Sequence, residues 1–399
     1  MRSIVLFDLK DNFENLLPLT FTRPVADLRV GITKISEKWR FYDKNLITGF
    51  YPYVEYLREK FPIATKGEAV FVNSAFIPDQ KLFEAVFSLR EGEALQYSNG
   101  ELLAFRSINY KKIITNNDFA ALKITEYDGE LIKISSPWDI FSVNGQVLES
   151  DFLHLTQNRK SKPLSDTVNI INKENVFAEE NVDISFATLN AQNGYIYLAN
   201  GVTVMEGTLV RGSLAMCEHS QLKLGAKVYG PTTIGPYSKV GGEVNNVVIQ
   251  GYSNKAHDGF LGNAVIGEWC NIGADSNNSN LKNNYAEVKM WNYKEERFIK
   301  TGLQFCGLIM ADHSKCGINT MFNTGTVVGV NANIFGSGFP RNFIPSFSWG
   351  GAQGFTEYKL SKALEVAEKV MKRRNKLLDE KEKNILTAVF ELTSKYRKK

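Results

Sequence analysis

The amino-acid sequence predicts an α/β domain, then a left-handed parallel β-helix, then a C-terminal helical segment. Three observations predict this order: a strand-like N-terminus, an apolar repeat of six residues across the second half, and an apolar stripe at helical spacing near the C-terminus. We expect the α/β domain over residues 1–155, a polar linker over 156–168, the β-helix over 169–350 and the helical segment over 351–399.

The N-terminal domain is predicted from alternating strand-like and helix-like segments. The run from Ile4 to Phe7 is typical of a buried first strand. Pro24 suits the first turn of a helix, and apolar residues recur at helical spacing from Val25 to Trp39. Residues 69–72 and 131–134 are further strand candidates. Alternation of this kind favours an α/β domain.

An apolar residue recurs at every sixth position through much of the second half of the chain. Steps of six from Leu198 end on apolar residues as far as Val240, and small residues stand two positions before most of those from Val210 onward. Two further runs continue at the same spacing: Val248, Asn254, Phe260, Ile266 and Ile272, then Met310, Cys316, Phe322, Val328 and Ile334.

A period of six is typical of a triangular coil with three short flat faces. The residue that points into the prism is apolar, the residue two positions earlier is small because space is tight, and glycine lets the chain turn the corner. An amphipathic helix would instead need steps of three and four, and a strand alternates by two. Eighteen such hexads, at three per coil, predict about six coils.

The repeat is interrupted between Ile272 and Met310. Two strand-like runs, 286–293 and 297–305, predict a hairpin or loop that leaves the prism. Insertions in a repeat protein gather on its functional face, so we expect this loop to lie beside a site.

The last part of the chain carries an apolar stripe at helical spacing from Leu360 to Met371, continued over 385–390. A helix here would cover the open end of the β-helix, with a partner-binding helix as the alternative. The basic residues at 372–374 and 397–399 are interpreted as a solvated helix face.

Composition narrows the functional classes. The net charge of +4 is too small to argue for nucleic acid, and no apolar run is long enough to cross a membrane. The early charges favour a first strand over a signal peptide. The four cysteines show no CxxC pair or metal-ligand spacing, which favours free thiols in a reducing compartment. We therefore expect a cytoplasmic protein with no metal site and no nucleic-acid or membrane partner.

His257 is the main candidate for chemistry. It lies midway between the predicted inward positions Asn254 and Phe260, and it precedes the interruption by one coil. Imidazole can take a proton from an amine near neutral pH, as acyl transfer requires. A histidine that only hydrogen-bonds a corner of the prism stays an alternative.

The sequence around His257 resembles a known family. Residues 254–284 resemble the acetyltransferase half of the bifunctional bacterial enzymes that make UDP-N-acetylglucosamine. The shared pattern is a histidine, Leu261-Gly262, Asn271-Ile272-Gly273-Ala274 and a polar loop over 278–285. Two segments, Leu17–Pro24 and Gly251–Gly262, are similar to a variant branch of that family, and the resemblance spans nearly the whole chain.

The resemblance implies roles for individual residues. His257 would be the catalytic base, Asn271 and Asn280 would contact the sugar or orient the base, and Ala274 would meet acetyl-CoA. One of Lys255, Lys282 or Lys300 would hold the sugar phosphate, and the three stay open. Phe260 stands where the family usually has tyrosine, which leaves the acceptor sugar open.

The resemblance also implies a sugar-nucleotidyltransferase-like fold for the N-terminal domain. Such domains open with a glycine-rich loop that binds nucleotide phosphates, but here no glycine occurs before Gly31. Arg23 and Arg29 are candidates to bind phosphate in its place, with surface arginines near a helix as the alternative. Mg²⁺ is a candidate cofactor of this domain, although no clear aspartate pair is visible.

The resemblance favours an acetyl-CoA-dependent N-acetyltransferase that acts on a glucosamine-1-phosphate-like amino-sugar phosphate, coupled to sugar-1-phosphate nucleotidyl transfer from a nucleoside triphosphate. One alternative is nucleotidyl transfer alone, with the β-helix as a trimerising platform. Another is a non-catalytic scaffold. A homotrimer is expected, because a single prism cannot enclose a ligand.

Overall fold

The computed structural model describes residues 2–65, 68–108, 110, 114, 119 and 122–397. The chain divides into two compact units. The first comprises Met1–Leu16, Thr22–Leu28 and Thr33–Ser136, and the second comprises Leu17–Phe21, Arg29–Ile32 and Pro137–Lys399.

The first unit is built around a six-stranded mixed sheet. Its first strand in sequence, Ser3–Phe7, is fully buried and pairs in parallel with a strand on each side. The strands follow one another across the sheet in the order Ile47–Tyr51, Ser3–Phe7, Val70–Asn73, Leu102–Phe105, Glu93–Tyr97 and Lys123–Tyr127. The carboxyl ends of the central parallel strands therefore meet at one edge, where α/β sheets commonly bind ligands.

Short helices connect these strands. Among the described residues of the first unit, the α-helices are Lys10–Asn15, Ile35–Lys38 and Gln80–Ser88, and the 3-10 turns are Val25–Asp27, Trp39–Phe41 and Glu55–Leu57. Asp79 caps the longest of these helices by accepting a hydrogen bond from the Leu82 amide.

The long helix predicted from Val25 to Trp39 is not formed. A 3-10 turn over Val25–Asp27 is followed by Leu28 in an extended conformation, and α-helix begins only at Ile35. The apolar spacing arose because this segment is buried on several sides, not on one helical face. Similarly, the predicted strand over 131–134 forms only a single bridge at Lys133.

The second unit contains the predicted β-helix. Parallel strands stack on three faces, as follows. The first face holds Asn169–Ile171, Thr188–Asn190, Leu209–Arg211, Lys227–Tyr229, the first halves of Glu243–Gly251 and Phe260–Glu268, then Asn277–Asn278 and Met321–Phe322. The second holds Val176–Ala178, Ile196–Leu198, Leu214–Met216, Thr232–Ile234, the second halves of those long strands, Leu308–Met310, Thr326–Val328 and Phe343–Ile344. The third holds Asp183–Ile184, Thr203–Val204, Gln221–Leu222, Lys239–Val240, Asn254–Lys255, Asn271–Ile272, Lys315–Cys316, Asn333–Ile334 and Ser348–Gly351.

The β-helix is longer than the sequence indicated. It has about ten turns, where eighteen hexads predicted about six coils. The first coils are missed by the period of six because they hold more residues: Ile184 stacks below Val204, twenty positions later. Later coils are closer to eighteen, as from Val204 to Leu222.

The inward residues form one continuous apolar core, in which Ile266 and Ile272 lie as predicted, but the first three positions of the second predicted run were out of phase by one residue. Val240 stacks on Lys255, and Val244 stacks on Leu261, so Lys255 and Leu261 occupy the inward positions predicted for Asn254 and Phe260. The shift arises because the inward residues Leu261 and Ile266 are five positions apart, so that counting back in sixes from Ile266 ends one residue before Leu261 and Lys255.

Other elements decorate the prism. The predicted hairpin is present, as antiparallel strands Lys289–Asn292 and Arg297–Lys300, and Gly354–Glu357 pairs antiparallel with the last strand of the third face. The helices of the second unit are Asp139–Ser142, Asn144–Thr156, Leu360–Lys372, Glu380–Leu392 and Ser394–Arg397, with 3-10 turns at Leu19–Phe21 and Lys173–Asn175.

The predicted fold class is therefore confirmed: an α/β domain, a left-handed parallel β-helix and C-terminal helices. The domain bounds given above stay predictions. None of the described helices is both long and apolar enough to cross a membrane.

Candidate functional site

His257 lies in the corner that follows the third-face strand Asn254–Lys255, and its side chain is exposed. In the described part of the chain its ring has no hydrogen-bond partner, so an imidazole nitrogen is open to a ligand. The corner is stabilised from inside the prism, because the Lys255 ammonium donates hydrogen bonds to the main-chain oxygens of His257 and Asp258.

The structure does not support the phosphate-binding role predicted for Lys255. It was one of three candidates to hold a sugar phosphate, but only 2% of it is exposed and it points into the prism. Burial lowers its pKa to about 8, because a charged ammonium loses hydration there. Its contacts give it the role of positioning the His257 corner rather than of touching a ligand.

His257 opens onto a cavity of about 440 Å³ between the β-helix and the helix Leu360–Lys372 with the residues that follow it. The third-face strands supply one side, and the end of the helix supplies the other. Its lining consists of Lys239, Tyr252, Asn254, Ala256, His257, Trp269, Cys270, Asn271, Lys315, Val370, Arg373 and Arg374.

The charged groups of this cavity are all cationic. Lys239, Lys315, Arg373 and Arg374 line it, and no carboxylate does so among the residues that the structure describes. Desolvation lowers the pKa of Lys239, and the nearby Arg374, Lys223 and Arg373 lower it further. Desolvation also lowers the pKa of Lys315, to about 8. Cations held this close together, without acidic partners, form an anion site.

Of the predicted acetyltransferase residues, the structure brings Asn271 into the same cavity as His257. Asn280 lies on the polar loop, where its amide donates to Asn263 Oδ1 at 2.8 Å. Ala274 is in the next corner, and its main-chain oxygen accepts from the Asn319 amide.

The other two lysine candidates lie elsewhere. Lys282 lines a different cavity, beside the hairpin, and donates to the Glu287 main-chain oxygen at 2.9 Å. Lys300 pairs with the Glu287 carboxylate at 3.4 Å. Neither lines the His257 cavity.

The four cations of the His257 cavity were missed by the sequence analysis. Lys239 and Lys315 belong to one column, because Lys239 stacks on Asn254, Asn254 on Asn271, and Asn271 on Lys315. Each residue of the column directly precedes an inward residue, so the column could have been predicted from the repeat. Arg373 and Arg374 had been assigned to a solvated face, and only the tertiary fold brings them to the cavity.

The first unit has a cavity of its own, of about 670 Å³, at the carboxyl edge of its sheet. Polar side chains dominate its described lining, which includes Asp8, Lys10, Asp11, Asn12, Asn15, Tyr53, Asn99, Glu101, Lys133 and Ser135. The helix Lys10–Asn15 stands where the resemblance led us to expect a glycine-rich loop.

A hydrogen-bond network organises this cavity. The Asn12 amide donates to Asn73 Oδ1 at 2.8 Å, and the Asn73 amide donates to Glu101 at 3.2 Å. Glu101 in turn forms a 2.5 Å ion pair with Lys133. Since a helix, a strand and two residues outside the regular strands contribute, the network fixes the side chains at the sheet edge.

Asp8 is the buried acid of the first-unit cavity. Its Oδ1 accepts hydrogen bonds from the Ser74 hydroxyl and, at 3.2 Å, from the Val25 amide, while Oδ2 is buried without a described partner. Desolvation raises the pKa of Asp8 to about 7.

These residues do not fit a resident Mg²⁺ site. Glu101 is already paired with Lys133, and no cluster of three potential ligands occurs among the residues described. Mg²⁺ often binds through substrate phosphates with one or two carboxylates, so it would reach this cavity together with a substrate.

Arg23 and Arg29, predicted to bind nucleotide phosphate, are both buried and engaged by protein groups. Arg23 lies 3.4 Å from Asp27 in the first unit. Arg29 belongs to the second unit, where its guanidinium donates to the main-chain oxygens of Gln250 and Ile32. Neither lines the first-unit cavity, so both serve the fold and their predicted phosphate-binding role has no support.

Comparison with known proteins gives two kinds of relatives. Residues 4–160 match a family described as sugar nucleotidyl transferase. A bifunctional sugar-1-phosphate nucleotidylyltransferase/acetyltransferase of Sulfurisphaera tokodaii is 30% identical over 54% of this chain and 47% of its own length. The bifunctional protein GlmU of Methanococcus aeolicus is 25% identical over 64% of this chain and 53% of its own.

The resemblance stated from the sequence is confirmed: the chain is similar to bifunctional nucleotidylyltransferase/acetyltransferase proteins, at low identity. A third relative, the bifunctional protein GlmU of Methanocaldococcus jannaschii, is 34% identical over 23% of this chain and 22% of its own. The chain spans about half the length of the first two relatives.

Proposed function

We propose that the second unit transfers an acetyl group from acetyl-CoA to the amine of an amino-sugar phosphate such as glucosamine-1-phosphate. One observation carries the proposal: an exposed imidazole opens onto a cavity whose charged groups are all cationic. The imidazole suits an amine nucleophile, and the cations suit the phosphate that such an acceptor carries. The similarity to bifunctional proteins named for both activities supports the same reaction.

In the proposed reaction, the acceptor phosphate lies against Arg374 and Lys315, which places the sugar amine near His257. The amine nitrogen attacks the thioester carbonyl while the imidazole accepts the proton that the nitrogen loses. The main-chain N–H of Ala274 stabilises the oxyanion of the tetrahedral intermediate, since those of Gly273 and Asp275 already donate to Cys316 and Asp258. The intermediate collapses to the amide, the C–S bond breaks, and the thiolate of CoA takes up a proton.

The test is thiol release from acetyl-CoA with a panel of acceptors. Glucosamine-1-phosphate, galactosamine-1-phosphate and unphosphorylated glucosamine are compared at equal concentrations. We expect release with at least one amino-sugar phosphate and at least a tenfold lower kcat/KM with glucosamine, because the latter cannot use the cations. Absence of thiol release with every acceptor would contradict the proposal.

A second activity, transfer of a nucleotidyl group to a sugar-1-phosphate, is proposed for the first unit. Its support is the family match over residues 4–160 together with a polar cavity at the carboxyl edge of the sheet. The substrates would be a nucleoside triphosphate, with any Mg²⁺ arriving on its phosphates, and a sugar-1-phosphate. Pyrophosphate release with UTP or dTTP and glucosamine- or N-acetylglucosamine-1-phosphate tests it.

A further inference from the structure

A second cavity of the β-helix unit, of about 710 Å³, lies beside the hairpin Lys289–Asn292 and Arg297–Lys300. We call it the hairpin cavity. Its lining consists of Lys282, Lys289, Trp291, Phe298, Thr324, Arg341, Asn342 and Phe343, and it shares no residue with the lining of the His257 cavity. The reaction proposed above uses none of these residues.

One wall of the hairpin cavity is aromatic. Trp291 stacks on Phe343 with ring centroids 4.2 Å apart and planes inclined by 11°, and Phe298 meets Trp291 edge-on at 5.5 Å. Tyr293 and Tyr396 pack around this stack and hold it in place. Phe298 is 42% exposed although it is a large apolar ring. The wall therefore offers an ordered aromatic surface that is partly open to a planar ligand group.

The remaining lining is basic. Lys282, Lys289 and Arg341 form no ion pair with any residue that the structure describes, and no described aspartate or glutamate lines the cavity. The neighbouring acid, Glu287, is already held by Lys300 and by the Gly302 amide at 2.6 Å. Partial burial lowers the pKa of Arg341, which agrees with a cation held without a counter-charge.

We propose that the hairpin cavity binds a phosphorylated nucleoside. The base would pack against Phe298 and Trp291, and the phosphate would accept charge-assisted hydrogen bonds from Arg341 and Lys289. A sugar phosphate fits less well, because an aromatic wall accounts for much of the lining, whereas the described lining has few uncharged polar side chains, Thr324 and Asn342 beside the indole of Trp291. This chemistry is shared by the nucleotide end of CoA and by a free nucleoside triphosphate.

The experiment is isothermal titration of the full-length protein, without acceptor, with adenosine 3′,5′-bisphosphate, CoA, ATP and UTP. The test variants are Lys289→Ala with Arg341→Ala, and Phe298→Ala alone. The matched control is Lys300→Ala, since Lys300 lies directly opposite Lys289 on the hairpin but outside the cavity lining. Circular dichroism checks that each variant folds.

We expect at least one of these ligands to bind the wild type and Lys300→Ala alike, and to bind the double variant at least tenfold more weakly. Binding of the bisphosphate and CoA, in competition with each other, would identify CoA as the source; binding of ATP or UTP would identify a free nucleotide. Lack of binding by all four at millimolar concentration, or unchanged affinity in the folded test variants, would overturn the proposal. Because no turnover is measured, this result is independent of acetyl transfer at His257.

Discussion

At the scale of single residues, His257 and Lys255 have different roles in the same corner of the β-helix. The imidazole is exposed, while the lysine two positions earlier is buried and donates hydrogen bonds to the main-chain oxygens of the corner. If His257 is the base, His257→Ala should lower kcat for acetyl transfer by about 10² to 10⁴, the usual contribution of a positioned base. Thermal stability should stay close to wild type, because the side chain is outside the core.

Thiol release and a thermal melt measure both effects. The matched control is His154→Ala, since His154 lies on the helix Asn144–Thr156 and does not line the cavity. Near-full activity of His257→Ala would show that His257 is not the base.

If Lys255 positions the corner, its substitution should have a smaller effect than that of His257. Lys255→Met should lower kcat about tenfold while KM changes little, because the corner loses the ammonium that bonds two of its oxygens. Amide hydrogen exchange of residues 256–259 should become faster in this variant. Unchanged exchange together with unchanged kcat would limit Lys255 to a packing role.

Asp8 predicts a pH dependence of stability in the first unit. Its pKa is about 7 in the folded protein and 3.8 ordinarily, so between these values the folded state binds more protons than the unfolded state. The stability that it contributes is full below about pH 4 and is lost as pH rises through 7, with a magnitude of a few kcal/mol. Asp8→Asn should remove this slope.

Urea unfolding at pH 5 and pH 8, followed by hydrogen exchange in the strand Ser3–Phe7, measures the slope. Asp11→Asn, an exposed change in the same cavity, should keep the wild-type slope. An identical slope in Asp8→Asn would mean that Asp8 is ionised when folded.

At the scale of elements, the helix Leu360–Lys372 is part of the candidate site as well as of the fold. Arg374, just beyond its end, donates to Asn254 Oδ1 at 3.4 Å and lines the His257 cavity. Arg374→Ala should raise KM for the amino-sugar phosphate about tenfold, with kcat less affected, because a charged hydrogen bond contributes about 1.5–3 kcal/mol. Steady-state kinetics over a range of salt concentrations measure this.

The control for this change is Lys372→Ala, which removes an equal charge from an exposed position on the same helix. A KM shift of the same size in both variants would indicate long-range charge rather than a contact.

The elements also show what the sequence could predict. The period of six could be predicted because stacking imposes it on every regular coil. The hairpin could be predicted because it interrupts that period. The phase before Ile266 could not be predicted, since the inward residues Leu261 and Ile266 are five positions apart and a strict period of six therefore ends on Asn254 instead of Lys255. Arg373 and Arg374 were missed because their place in the cavity depends on distant parts of the chain: Arg374 bonds to Asn254, 120 positions earlier in sequence.

At the scale of the whole molecule, the cavities on the outside of the β-helix predict that several copies of the chain associate. The His257 cavity and the hairpin cavity both lie on the outside of the β-helix, so neighbouring prisms could complete either one. We expect a homotrimer, seen as three times the chain mass by light scattering at micromolar concentration. A monomer at that concentration would show that one chain carries the complete site.

Two compact units, each with its own cavity, predict activities that can be lost one at a time. Lys133→Ala removes the partner of Glu101 and leaves that carboxylate uncompensated at the first-unit cavity. Nucleotidyl transfer, measured as pyrophosphate release, should fall at least tenfold, because a repelling charge then faces the triphosphate. Acetyl transfer should persist, since the second unit has its own core and its own cations.

His257→Ala should give the converse result, and Lys123→Ala is the matched control. Lys123 also pairs with a glutamate of the first unit, but it is 79% exposed and does not line the cavity. If Lys133→Ala and Lys123→Ala lower pyrophosphate release equally, the cavity is not the nucleotide site. If Lys133→Ala abolishes both activities in a folded protein, the two reactions are coupled, and the division into two compact units does not extend to catalysis.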